Sequence, residues 1–324
     1  MAASEFEIIR RYFTPAAPGR DDVITGVGDD AAVLAVPPDH HLVVCMDTLV
    51  AGVHFPKETA PAAIGHKALA VNLSDLAAMG AEPAWATLSL TVPETDERWL
   101  DQFSRGFLEL AECYHVQLVG GDIARGPLSI TVQAHGVVPT GTARYRRGAR
   151  PGDLVCVTGT LGDAGLALKS ELPGDSPLRR RLDYPSPRIE AGMALRDYAS
   201  AMIDVSDGLL ADLGHMLEAD GLGASIQVDE LPRSVDFVAV LGVSGQDDTA
   251  LACDLPLGAG DDYELCCCIP KRHWPEVQAS LASIPCEVTR IGVITETPGI
   301  GCYRKDGSPY TPAITGYLHF TGGD

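Results

Sequence analysis

Two stretches of this chain alternate strictly between apolar and polar residues, and a chain patterned in this way builds sheets with one buried face. Leu88, Leu90 and Val92 alternate with Ser89 and Thr91, and the run from Leu128 to Val138 sets Ser129, Thr131 and Gln133 on the opposite side from its apolar residues. A side-chain period of two belongs to a half-buried strand. Before the first of these stretches and between the two, the pattern turns helical. One helix is predicted from Pro61, a residue suited to a first turn, to Gly80 at its end, and another from about Asp96 to His115. Strands and helices interleave, which gives an α/β chain. No short repeat or heptad array is present, so solenoids and coiled coils are excluded.

Ser4 and Glu7 have capping-box spacing and open a short helix that ends near Phe13. After a turn at Gly26 to Asp30, the runs Ala31 to Val36 and Leu42 to Met46 read as a pair of strands. A short apolar run leads into Gly120-Gly121-Asp122, and Arg144 to Asp153, with its basic residues, Pro151 and Gly152, is the strongest punctuation in the chain. The domain boundary is placed there, giving residues 1–148 as an N-terminal domain and 149–324 as a C-terminal α/β domain. In the second half, helices are expected around Gly162 to Leu172, Arg188 to Ala199, Gly208 to Ala219 and Lys271 to Ser283. Strands are expected near Met202 and Ile226, from Leu265 to Ile269 and from Val288 to Ile294.

The 44 acidic residues outnumber the 24 basic ones, for a net charge of −20. Such a chain does not neutralise a phosphate backbone by itself, which argues against nucleic acid and anionic membranes as partners. Of the acids, 28 are Asp and 16 Glu, and many of the aspartates adjoin glycine, so the excess belongs to loops, where it suits cations. No segment is long and apolar enough to span a membrane, and the start of the chain lacks a signal-type apolar run, so the reading is a soluble cytoplasmic protein. The nine cysteines lack paired metal-type spacing and read as thiols of a reducing compartment.

Five acidic motifs stand out: Asp29 and Asp30 in GVGDDAAVL, Asp47 in MDTLVAGVHF, Asp75 in NLSDLAAMG, Asp122 in LVGGDIARG, and Asp204 with Asp207 in IDVSDGLLADL. Asp47, Asp122 and Asp204 each follow a short apolar run, and an aspartate at the end of a buried strand is a recurrent ligand position. Turn formation and capping are the alternative for each one alone. Asp75, however, sits inside a helix, where aspartate is a poor former and needs another reason to be there. Several carboxylates on separate loops suit Mg²⁺, which takes hard oxygens and is normally held by one or two carboxylates plus nucleotide phosphates.

No P-loop is present, since no lysine follows a glycine. A bound nucleoside triphosphate would be met by metal ions, by backbone amides such as those of Gly120 and Gly121, and by arginines, of which Arg146 and Arg147 are best placed. Ser206 either donates to a phosphate oxygen or caps the helix opening at Gly208. His54, flanked by Gly52 and Phe55, is the one histidine of note. HExxH, CxxC and GxSxG motifs are all missing, so zinc-protease, zinc-ribbon and α/β-hydrolase chemistry have no support.

GVGDDAAV, DTLVAGVHF, NLSDLAAMG, GGD, RRGARPGD, VSDGL and GAGDDYEL stand in the order and spacing of the thiamine-monophosphate kinase family, and the chain resembles that family from about Glu5 to Phe320. Parts of the pattern are shared with a wider superfamily of ATP-using enzymes, including aminoimidazole ribonucleotide synthetase, selenophosphate synthetase and a hydrogenase maturation factor. The resemblance implies a two-domain α/β fold of that superfamily with mixed sheets, in which the N-terminal ATP- and Mg²⁺-binding sheet pairs across a homodimer. It implies that Asp30, Asp47, Asp75, Asp122, Asp204 and Asp207 bind several Mg²⁺ ions, with Asp47, Asp122 and Asp207 central to catalysis. Gly121, Asp122, Arg146 and Ser206 match positions that contact ATP; His54, Asp261 and Tyr317 match positions that contact thiamine monophosphate. Two departures are visible. Cys45-Met46 replaces the small hydroxyl residues usual before Asp47, and Ala259-Gly260-Asp261 replaces Gly-Gly-Glu.

The activity so implied is ATP-dependent phosphorylation of thiamine monophosphate to thiamine diphosphate, the last step in making that cofactor. The competing readings are a related ATP-using enzyme with another small phosphorylated substrate, and a non-catalytic module that binds nucleotide and Mg²⁺.

Overall fold

The computed structural model describes residues 5–14, 19–218, 220–243 and 250–317. Ser4 of the expected capping box lies outside them. The N-terminal helix α1 (Glu5–Ile8) continues into a π-turn over Ile9–Phe13. The strands that follow do not form the expected pair. β1 (Val23–Thr25) pairs antiparallel with β2 (Val33–Leu34), while β3 (His40–Val50) pairs along its whole length with a later strand. The Ala31–Val36 run is only two residues of strand because its partner is a three-residue strand. The eleven residues of β3 are matched instead by an alternating partner of equal length.

α2 (Pro61–Ala78) is buried along most of its length, and α3 (Glu97–Cys113) is amphipathic, with Leu100, Phe103, Phe107 and Leu110 inward. Asp96 starts α3 by accepting the N–H groups of Arg98 and Trp99 at 2.9 and 3.2 Å. Glycines let α2 and α3 touch: a Cβ on Gly65 would lie 2.1 Å from the Phe103 carbonyl oxygen, and one on Gly106 2.0 Å from that of Ala62. β4 (Glu82–Val92), β5 (Gln117–Arg125) and β6 (Ser129–Pro139) complete a four-stranded sheet of order β3-β6-β4-β5, antiparallel except for the parallel pair β4-β5.

The second half begins with β7 (Leu154–Thr158), followed by α4 (Asp163–Lys169), α5 (Pro177–Asp183), α6 (Ile189–Leu195), β8 (Ala201–Val205) and α7 (Leu209–Glu218). Then come β9 (Gly223–Gln227), α8 (Val235–Val243), α9 (Leu251–Gly258), β10 (Glu264–Ile269), α10 (Trp274–Leu281), β11 (Val288–Thr295), β12 (Gly299–Tyr303) and β13 (Pro309–Tyr310). They form a seven-stranded sheet of order β13-β12-β9-β11-β7-β10-β8, parallel only between β9 and β12. β7, β8 and β10 are buried at every residue, which explains their continuous apolar sequence. α5, α8 and α9 are not foreshadowed by the sequence pattern. Each is short, and α8 and α9 are apolar enough to lack a polar face.

The chain divides into two compact units, Met1–Leu76 with Ala81–Gly141, and Ala77–Gly80 with Thr142–Asp324. All nine cysteines are free thiols, and Cys156, Cys253, Cys266, Cys267, Cys268 and Cys302 are buried. Among the described residues no helix is long and apolar enough to cross a membrane.

Candidate active site

In the first unit, the GDD and GGD motifs share one cavity of about 540 Å³. Residues 27–32 form one wall and residues 118–123 another, with Phe6, Ile9 and Phe13 supplying apolar surface. Asp30 and Asp122 both line it, beside the backbone of Gly120 and Gly121. Gly121 has φ +149, and a Cβ there would fall 1.9 Å from the Leu88 carbonyl oxygen, so only glycine keeps β5 against β4 at this point. A second cavity, of about 400 Å³ beside Ser225, Gln227 and Arg290, contains none of the candidate residues.

Asp47 and Asp122 do not end their strands: each lies within one, three residues before its last residue. The register separates them further. Asp122 pairs with Ser89, Ser89 with Thr131 and Thr131 with Thr48, making one polar row across the sheet. Asp47 is one residue from Thr48 and pairs with the buried Val132, on the opposite face. Cys45 shares that face and donates its thiol to the Asn72 carbonyl of α2 at 3.3 Å. Asp75 lies on the same helix, one turn after Asn72, and is half-buried. His54 follows β3 in a tight turn, where its Nδ1 accepts the Val50 N–H at 3.0 Å. In the neutral ring the proton then sits on Nε2.

In the second unit the structure gathers five predicted residues at the C-terminal end of β8. Asp204 is buried in the strand and Ser206 and Asp207 follow it. The Asp261 N–H donates to the Ser206 carbonyl at 2.8 Å, and the Tyr317 N–H to that of Asp207 at 2.9 Å. Asp261 and Tyr263 hold left-handed backbone at φ 60 and 51 on either side of Asp262, a conformation that costs free energy in residues other than glycine. The Tyr263 hydroxyl donates to Asp261 Oδ1 at 3.0 Å. Arg146 stands apart from this group. The carbonyl of its neighbour Tyr145 accepts the Met202 N–H, at the other end of β8.

Beneath this turn Glu264, with no exposed surface, accepts hydrogen bonds from Arg188 at 2.6 and 2.5 Å, from Arg181 at 2.7 Å and from Thr158 at 2.8 Å. Asp212, absent from the sequence-based candidates, is buried at the start of α7. Burial first, then the charges of Asp204 and Asp207, push its carboxyl up to about 7, against backbone hydrogen bonds that pull it down.

The chain matches AIR synthase related protein, N-terminal domain, over residues 28–138 and AIR synthase related protein, C-terminal domain, over residues 150–305. It is 46% identical to thiamine-monophosphate kinase of Salmonella typhimurium across 99% of both chains. The chain belongs to the thiamine-monophosphate kinase family. The crystal structure of the Stenotrophomonas maltophilia member superposes with a TM-score of 0.81 at 43% identity, covering 90% of this chain and 93% of that one. The structure of AaThiL complexed with AMPPCP and TMP superposes at 0.76 with 32% identity, covering 88% and 89%.

Against the family pattern, the two departures have physical readings. Met46 is 62% exposed on the open face of the sheet, so only its backbone remains for any contact beside Asp47. Cys45 has become a packing contact with α2. Asp261 tolerates its left-handed position because aspartate, like asparagine, adopts it more readily than most residues. Asp212 was detectable in sequence as an acid in the first turn of the helix after VSDGL, where loop amides need an acceptor.

Proposed function

We propose that this chain transfers the γ-phosphoryl group of ATP to the phosphate of thiamine monophosphate, giving thiamine diphosphate and ADP in the cytoplasm. The observation that carries this reading is the shared cavity of the GDD and GGD motifs, in a member of this family. Apolar surface from Phe6, Ile9 and Phe13 suits a base, while the amides of Gly120 and Gly121 suit phosphate oxygens.

The donor set fits Mg²⁺. Asp30 and Asp122 offer hard carboxylate oxygens in one cavity, and Mg²⁺ normally takes one or two carboxylates with the phosphates of its nucleotide. Among the described residues, no group of three His, Cys, Asp or Glu side chains is poised as a metal cage. We assign Asp30, Asp47, Asp75, Asp122, Asp204 and Asp207 to metal binding, Gly121, Asp122, Arg146 and Ser206 to ATP, and His54, Asp261 and Tyr317 to thiamine monophosphate. When bound, Mg²⁺ neutralises the phosphates whose repulsion is the chief obstacle. The aspartates hold that charge in place, the glycine amides orient the donor, and His54 and Asp261 orient the acceptor. The acceptor phosphate is already ionised near neutral pH, its second pKa being about 6, so no side chain has to remove a proton. Transfer is direct and in line.

We assign residues 1–148 as the nucleotide-binding and dimerisation domain and residues 149–324 as its C-terminal partner. β3 is an edge strand, and Leu42, Val44, Met46 and Val50 expose an apolar stripe that pairing with a second copy would cover. The deciding assay is ADP release with Mg²⁺ and ATP across a panel of small phosphorylated acceptors. Turnover should appear on addition of thiamine monophosphate and of no other acceptor. Release with a different acceptor would favour a related enzyme, and binding of ATP without turnover a non-catalytic module.

A further inference from the structure

The loop after β8 is held by one carboxylate oxygen. Oδ2 of Asp212, a residue only 4% exposed, accepts the backbone N–H groups of Ser206 at 3.0 Å and of Asp207 and Gly208 at 3.1 Å each. The same three peptide groups present their carbonyls on the opposite side. The peptide joining Val205 to Ser206 gives its carbonyl to the Tyr263 N–H at 2.8 Å. The next gives that of Ser206 to the Asp261 N–H at 2.8 Å, and the third gives that of Asp207 to the Tyr317 N–H at 2.9 Å.

A trans peptide is planar, with N–H and C=O pointing in opposite directions. Fixing three successive N–H groups on one oxygen therefore aims three carbonyls. An N–H bonded to a carboxylate also polarises its peptide and strengthens the carbonyl as an acceptor. The targets need such support: Asp261 and Tyr263 are the two non-glycine residues of this turn in left-handed backbone. The loop is also closely packed at Gly208, where a Cβ would come 2.8 Å from the Gly258 backbone.

We propose that Asp212 is a positioning residue for phosphoryl transfer: through three consecutive peptides it places Ser206 and Asp207 on one side and Asp261 and Tyr317 on the other. The roles of those four residues rest on the kinase reading above; the hydrogen-bond relay does not. Asp212 touches neither reactant in this account.

The test uses the full chain with D212A and D212N, followed by amide hydrogen exchange and by steady-state kinetics with Mg²⁺, ATP and thiamine monophosphate. In D212A, exchange should rise about tenfold or more together in residues 206–208, 261–263 and 317, while β7 and α3 keep their protection. The kcat should fall about a hundredfold, the cost of misplaced groups. D212N keeps an oxygen for the three N–H groups and should restore protection and bring kcat to within about tenfold of the parent. Faster exchange confined to residues 206–208 would overturn the relay. So would a D212N as impaired as D212A, since charge and not hydrogen-bond acceptance would then be the function. If D212A does not fold, D212N against D212E decides: the longer side chain displaces the acceptor, and a D212E with parental exchange and kcat overturns the proposal. A parent chain without thiamine monophosphate-dependent turnover would end the kinase reading, while the exchange data would still judge the relay.

Discussion

Asp262 shows at the scale of one residue how burial turns an acid into a proton carrier. Its Oδ1 accepts the Gly162 N–H at 2.8 Å, and its buried Oδ2 has no hydrogen-bond partner. Burial pushes the carboxyl well above its usual range, with the Gly162 N–H and Arg181 pulling the other way. The folded chain keeps a proton that the unfolded chain releases near pH 4. The contribution of Asp262 is therefore favourable below that pH and is lost as pH rises through the folded value. D262N keeps the oxygen for Gly162 and removes the ionisation cost. Its melting temperature relative to the parent should climb as pH rises above about 4; an offset that does not change with pH would refute this account. Asp47 and Asp122 lie nearer the surface: Asp122 is exposed and Asp47 half-buried. D47N or D122N should lower turnover at least about a hundredfold with an unchanged unfolding midpoint, because each removes one preorganised electrostatic group. Near-normal turnover would remove that residue from the proposed machinery.

Among elements, the parallel pair β4-β5 depends on the second glycine of the GGD motif. A methyl group on Gly120 would stand in open space, whereas one on Gly121 would meet the Leu88 carbonyl oxygen. G121A should destabilise the chain by about 1–3 kcal/mol as the strands are forced apart. G120A should stay within about 0.5 kcal/mol of the parent. Urea unfolding of the two variants measures the contrast, and equal midpoints would mean that β5 is free to shift.

For the molecule as a whole, the exposed stripe of β3 is the feature on which the proposed pairing with a second copy rests. Eleven residues of edge strand with Leu42, Val44 and Met46 exposed invite association. V44K puts a charge in the middle of that stripe and should convert the proposed dimer into a monomer in light scattering, with the far-ultraviolet spectrum retained. A V44K dimer of unchanged stability would place the interface elsewhere.

Elements with a clear period were legible from sequence: α3 and β6 occupy the expected stretches, and β4 contains its expected residues but starts six earlier, at Glu82, because alternation and amphipathic spacing report which face is buried; α2 was legible from Pro61 and Gly80 at its ends. Partner choice was not. Nothing local says that β3 pairs with β6 instead of β2, since pairing depends on matching strand lengths far apart in the chain. The motif aspartates were legible as residue types, but their grouping around Ser206 was not, because VSDGL leaves β8 while GAGDDYEL leads into β10, and only the antiparallel pairing of those strands brings the two together. The register that sets Asp47 and Asp122 on opposite faces, and the three peptides that meet on Asp212, belong to tertiary structure alone. Sequence states which side chains are available and which face each prefers. Where a hydrogen bond points is decided only when separate strands and loops are brought to within about 3 Å of each other.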